Sequence, residues 1–189
     1  MNKDFWNELF LEKDVYGEEV NAFLKEQVKL LRAGASILCI AEGQGRNALY
    51  LSKQGFQVTA VDQSEIGINQ IKEKAKAQNL LIEAYAADLT DYDFGENKWD
   101  AIVSIFGHLP SDLRRKVHQK ITKGLKREGL FIMEAYSQEQ LKYETGGPKS
   151  LDLLLSTDVL REELPELKVI KLEKLEREVI EGKLSLIHI

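Results

Sequence analysis

At 189 residues, 43% hydrophobic and 30% charged, the chain suits one soluble domain large enough for its own core. Its formal net charge of −5, from 26 Lys and Arg against 31 Asp and Glu, argues against nucleic acid or an anionic membrane as the main partner. One cysteine excludes an internal disulfide framework and suits a reducing cytoplasm, and no apolar run approaches the roughly 20 residues needed to span a bilayer. The N-terminus lacks a signal-peptide pattern, so a cytoplasmic protein is expected.

Residues 1–17 are polar with aromatic punctuation at Phe5, Trp6, Phe10 and Tyr16, and read as an arm or short helix. Val20, Phe23, Leu24, Val28 and Leu31 recur at helical spacing, which predicts an amphipathic helix over 18–32. The apolar run 37–41 reads as a buried strand, Gly43 and Gly45 as a turn, and 47–54 as a helix stopped by Gly55. A second apolar strand, 58–61, closes on Asp62. Ser64 is a plausible N-cap for a helix over 66–78. A third strand covers 80–86, a fourth 99–105, a helix 112–126 and a fifth strand 130–135. A short helix is expected within 151–163, and a charged, exposed or edge strand over 169–180.

Strands alternating with helices predict an α/β domain with a doubly wound parallel sheet. Right-handed crossovers bring every strand's C-terminal end to one edge, where ligands bind. That rule gathers residues 42–46, Asp62, Asp88, 105–108 and 134–136 into one cleft. Glycine lets backbone approach a ligand, a helix start offers unpaired N–H groups, and an acid at a strand end can accept from both hydroxyls of a ribose. An adenosine-like ligand is expected. Gly43-Gln44-Gly45-Arg46-Asn47-Ala48 also satisfies the dinucleotide pattern G-x-G-x-x-G/A, with Asp62 standing 19 residues after the first glycine. An NAD(P)-binding oxidoreductase and a non-catalytic adenosine-ligand binding protein are therefore the alternatives. A dehydrogenase generally needs further elements for its substrate, and Asp88 has no obvious duty in a dinucleotide site.

Ala41-Glu42-Gly43-Gln44-Gly45-Arg46-Asn47, Val61-Asp62-Gln63-Ser64, Ala87-Asp88-Leu89, Trp99-Asp100 leading to Ser104-Ile105-Phe106, and the aromatic arm with Tyr16-Gly17 carry a resemblance. The chain resembles the class I S-adenosylmethionine-dependent methyltransferases, and within them the small single-domain group related to tellurite-resistance and thiopurine methyltransferases. The resemblance implies a Rossmann-like sheet and S-adenosyl-L-methionine as cofactor. It assigns the methionine part of the cofactor to Gly43 and Gly45, the ribose to Asp62 and the adenine amino group to Asp88. Tyr16, Arg46, Asn47, Gln63, Ala87, Leu89 and Ile105 complete the expected cofactor site. The family's usual acid inside the first strand is replaced by Cys39, and its first glycine by Ala41, so Glu42 is the candidate to face the methionine ammonium.

His108, just after the fourth strand, is the candidate general base, needed if the acceptor must lose a proton. His118 is expected to be exposed, and the run Arg114-Arg115-Lys116 to sit on a solvated helix face. One of Glu134 and Tyr136 is expected to line the acceptor pocket. No His, Cys or Asp cluster has metal-ligand spacing, and no nucleophile arrangement is evident. With no insertion or basic groove to hold a polymer, the expected partner is a small-molecule methyl acceptor, and the protein a monomer or weak homodimer.

The chain reads as a single domain, with residues 1–34 an arm and helix and 35–189 the α/β core. In the family a last strand inserts antiparallel into the sheet. Here only Leu184-Ser185-Leu186-Ile187-His188-Ile189 is left for it, and that hexapeptide is also one translation of a common sequencing-transposon end. A truncated last strand, and no function for His188, are the expectations.

Overall fold

The computed structural model describes residues 2–143, 147–176, 178–180 and 186–188. Helices α1 (Lys3–Leu9) and α2 (Ala22–Gln27) precede strand β1 (Ser36–Ile40). Then come α3 (Arg46–Lys53), β2 (Gln57–Asp62), α4 (Glu65–Ala77), β3 (Ile82–Ala86), β4 (Trp99–Ile105), α5 (Ser111–Gly124) and β5 (Leu125–Glu134). After β5 follow α6 (Thr157–Glu163) and the short strands β6 (Glu178–Ile180) and β7 (Leu186–His188).

Strands β1 to β5 form a parallel sheet in the order β3-β2-β1-β4-β5. The apolar run of β1 explains its central place: alternate residues face opposite sides, and both sides are covered. Ile37 and Cys39 pack with Leu24, Ala48, Leu51, Ile68 and Ile71 from α2, α3 and α4. Leu38 and Ile40 pack with Phe94, Trp99, Val117 and Ile121 on the α5 side. The chain changes faces between β3 and β4, so the crevice opens where β1 and β4 diverge at their C-terminal ends.

The predicted strands and helices of the βαβ core are where expected, and Ser64 caps α4 by accepting the Gly67 N–H. Three elements differ. The helix predicted over 18–32 is confined to α2 and a 3-10 turn at Val28–Leu30, because the Asn21 side chain accepts the Leu24 N–H and starts the helix late. Strand β5 begins at Leu125, where a helix was predicted to continue. Leu125 pairs with Trp99 and Leu130 with Ala101, so the intervening residues form a bulge. Glu128 takes φ +64° there, and a side chain at Gly129 would stand 3.0 Å from the Trp99 carbonyl oxygen. The strand predicted over 169–180 is reduced to β6, since residues 171–176 form no regular structure. Its run of lysines and glutamates leaves little apolar surface to bury. Strand β7 pairs antiparallel with β6 in a separate two-stranded sheet. Leu184, Ser185 and Ile189 lie outside the described residues.

Candidate active site

At the C-terminal edge of the sheet a cleft of about 380 Å³ joins the strand ends to the N-terminal arm. Its floor is the turn after β1. Ala41, Gly43 and Gly45 there have φ of +51°, +62° and +90°. Gly45 is required twice over: its backbone is left-handed, and a Cβ would come within 2.5 Å of Ile71 Cγ1. Ala41 holds the left-handed conformation without being glycine, a strain of about 1 kcal/mol that the surrounding sheet maintains.

Since Gly45 has no side chain to cap α3, Glu42 does so, its Oε1 accepting the Ala48 N–H at 2.7 Å. Burial pushes the Glu42 carboxyl up to about 7, against the pull of that bond and of Arg46. Arg46 donates to the Tyr16 carbonyl oxygen at 3.3 Å, and Asn47 Oδ1 accepts the Asn21 N–H at 3.0 Å. Both residues line the cleft, as does Tyr16.

Asp62 ends β2 almost fully buried. Its Oδ2 accepts the Gly43 N–H and its Oδ1 the Ser64 N–H, each at 2.8 Å. Burial raises its pKa and these two bonds lower it, the net shift being upward. Each oxygen keeps a second lone pair, so the carboxylate can also accept from two hydroxyls in the cleft. Asp88 lies across the cleft at the end of β3, with Oδ1 accepting the N–H and hydroxyl of Thr90, both at 2.7 Å. Gln63 and Leu89 line the same wall. Ala87 does not: partly buried, it packs against the core cluster on the α5 side and donates its N–H to the Asp62 carbonyl oxygen.

Asn2, Lys3, Trp6 and Phe10 of the arm close the cleft from above. The sequence reading missed Gln44 as the residue that fastens this arm. Its Nε2 donates to the Glu12 carbonyl oxygen and to Gln70 Oε1, both at 2.8 Å, and its Oε1 accepts the Val15 N–H at 2.9 Å. An amide held between two turn glycines was the available signal. Phe10 packs on Gly43, whose added Cβ would meet its ring at 3.1 Å.

The other end of the cleft is built by β4 and β5. Ile105 ends β4, Phe106 turns the chain at φ +53°, and His108 and Tyr136 line the wall beyond. Tyr136 stacks on Phe106 at a centroid distance of 4.8 Å and on His108 at 5.4 Å. Burial lowers the His108 pKa to about 4, so its ring is neutral at physiological pH. Of Glu134 and Tyr136, only Tyr136 reaches this cleft; Glu134 accepts from the Asn21 amide at 2.7 Å.

Two surface expectations are corrected. His118 is buried, with Nδ1 2.8 Å from Glu163 Oε2. Arg114 is buried beside it and grips Glu163 through Nε and Nη2, each at 3.0 Å, while Arg115 and Lys116 are exposed. Helix α6 covers this face of α5, which periodicity within α5 could not disclose. Cys39 is a core residue whose thiol burial raises in pKa. Among the described residues, no group of His, Cys, Asp or Glu could hold a metal ion, and no helix is long and apolar enough to cross a membrane.

A parallel sheet of this order, with a glycine turn after β1 and acids ending β2 and following β3, gathers close-approach backbone and carboxylates around one cleft. Residues 37–129 match the family model of a methyltransferase domain. A protein of Geobacillus sp. strain WCH70, provisionally described as a methyltransferase, is 28% identical over 145 residues, covering 74% of this chain and 58% of its own length. TehB of Haemophilus influenzae, described as a probable S-adenosyl-L-methionine-dependent methyltransferase, is 31% identical over 102 residues, covering 54% of this chain and 33% of its own. The crystal structure of TehB from H. influenzae superposes with a TM-score of 0.72 at 20% identity, covering 94% of this chain and 59% of that one. By these matches the chain is similar to S-adenosylmethionine-dependent methyltransferases, TehB among them, and it spans a third to about three fifths of the length of these relatives. The residues present would fit S-adenosylmethionine: close-approach backbone at Gly43, paired lone pairs on Asp62, and a half-buried carboxyl at Glu42.

Proposed function

We propose that the protein transfers a methyl group from S-adenosylmethionine to a small-molecule acceptor. The observation that carries this reading is the single cleft that joins the β1 turn, Asp62 and Asp88 to the uncharged end formed by Phe106, His108 and Tyr136. The cofactor supplies a methyl group on a positively charged sulfur, open to in-line attack. Asp62 holds the ribose hydroxyls, Asp88 and Leu89 the adenine, and Glu42 the ammonium. Gln63, Ile105, Arg46, Asn47 and Tyr16 line the remaining length. Much of the acceleration comes from holding the acceptor atom about 3–3.5 Å from the methyl carbon. His108, kept neutral by its surroundings, is a weak base before reaction. It suffices as proton acceptor, because a methylated hydroxyl or thiol becomes strongly acidic as the bond forms.

Several features support a small acceptor over a polymer or membrane. The cleft has room for little beyond the cofactor, the net charge is −5, and the arm covers the opening. The protein acts as a monomer or weak homodimer in this reading. A thermal-shift assay with S-adenosylhomocysteine and NAD tests it. At 100 times its dissociation constant the ligand adds about 2.7 kcal/mol, a rise of roughly 5–10 °C at this chain length. A shift with NAD and none with S-adenosylhomocysteine would overturn the proposal.

A further inference from the structure

Strand order divides the cleft into two halves of unlike chemistry. β2 and β3 lie on one side of β1, and β4 and β5 on the other. The charged groups that line the cleft are Glu42, Arg46, Asp62, Asp88 and Lys3. Glu42 stands on the turn after β1 and Arg46 opens α3, while Asp62 ends β2 and Asp88 follows β3. Lys3 is held toward α4 by its ion pair with Glu65. The β4–β5 half is lined by Phe106, Gly107, His108, Leu109, Leu113 and Tyr136, with no formally charged side chain. Three rings form its wall, Tyr136 stacking with interplanar angles of 29° on Phe106 and 28° on His108. Tyr136 is buried, whereas Phe106 and His108 stay partly exposed to the cleft. The left-handed Phe106 backbone is a strained conformation for a bulky residue, held by its N–H donation to the Glu134 carbonyl oxygen at 2.8 Å. The ring is thus fixed at the strand tip.

We propose that the methyl acceptor is an uncharged, planar aromatic molecule that lies against the Phe106–Tyr136–His108 wall in the β4–β5 half of the cleft. This rests on the methyltransferase reading above, which puts the adenosyl group in the acidic half and the methyl carbon towards β4. A charged acceptor would lose hydration there and find no opposite charge. A saturated acceptor would gain apolar contact but not the ring-on-ring term that offset stacking adds. The neutral imidazole, whose pKa burial lowers to about 4, adds no cation to attract an acid.

The test is fragment binding to the S-adenosylhomocysteine-loaded protein, followed by ligand-observed and protein-observed NMR titration. Phenol and indole are compared with cyclohexanol, benzoate and benzylammonium. The expected result is that phenol and indole bind about threefold to tenfold tighter than cyclohexanol, the span of a stacking term, with the two ions weaker still. His108→Leu, at a half-buried position, should shrink the phenol-over-cyclohexanol preference while leaving S-adenosylhomocysteine affinity unchanged. Phe106→Leu is the second variant should the first unfold. Tightest binding by benzoate or benzylammonium overturns the proposal, as does a preference for cyclohexanol or no fragment binding up to the solubility limit. Failure of S-adenosylhomocysteine itself to bind would instead strike the underlying methyltransferase reading.

Discussion

Replacing Asp62 separates two duties that share one carboxylate. Its oxygens accept the Gly43 and Ser64 N–H groups, which close the β1 turn and start α4. Asp62→Ala leaves both donors without that partner in a site only 7% exposed. At about 1–3 kcal/mol per unsatisfied buried group the gross loss is roughly 2–6 kcal/mol. Burial raises the Asp62 pKa, so removing the carboxylate also relieves a desolvation cost and the net falls in the lower half of that range. A urea titration of the free protein should therefore show a lower midpoint with an unchanged slope. Asp62→Asn keeps one acceptor oxygen and isolates the second duty. Losing charge-assisted bonds to the ribose should weaken S-adenosylhomocysteine binding by about 1.5–3 kcal/mol, roughly 10- to 150-fold in calorimetry. Wild-type affinity in Asp62→Asn, alongside a lowered urea midpoint, would show that Asp62 only fastens the turn and would refute the ribose assignment.

Glu42 should make cofactor binding depend on pH near neutrality. Burial raises its folded pKa from 4.5 to about 7, and the ligand ammonium pairs only with the ionised form. S-adenosylhomocysteine affinity should fall as pH drops below about 7, approaching tenfold per unit, and level off above. In the free protein the same raised pKa makes Glu42's contribution to stability decline as pH rises from about 4.5 to 7. Glu42→Gln should flatten both curves, and parallel binding profiles in mutant and wild type would exclude the pairing. Asp100 is a structural staple at the opposite edge of the sheet, accepting from the Ser36 N–H and Lys126 at 2.8 Å and from Arg32 at 3.1 Å. Burial opposes its ionisation, but these partners hold its carboxyl well below the usual range, so its stabilisation is present above about pH 4 and lost as pH falls through the folded pKa. Asp100→Ala should cost about 1–3 kcal/mol at neutral pH, measured by urea unfolding, with little change in cofactor affinity. Equal midpoints in wild type and mutant at neutral pH would show the cluster to be energetically idle.

The sequence by itself determined the βαβ core. An unbroken apolar run at β1, glycines in the next turn and acids at two strand ends are local signals, and the handedness of parallel crossovers does the rest. That is why Gly43, Gly45, Asp62 and Asp88 could be placed in one cleft before any coordinates. Tertiary structure alone decided who meets whom across long separations. The Gln44 amide finds the arm about 30 residues away, and Arg114 and His118 are buried because α6 supplies Glu163 across 49 and 45 positions. Glu134 and Tyr136 are two residues apart, so strand alternation cannot tell them apart; Tyr136 enters the cleft because it lies beyond the end of β5, while Glu134 is held by the Asn21 amide. The bulge before Leu130 is set by pairing with β4, so Gly129, outside the strand expected over 130–135, became part of it. Periodicity reports that a residue has a face; what covers that face is a property of the assembled molecule.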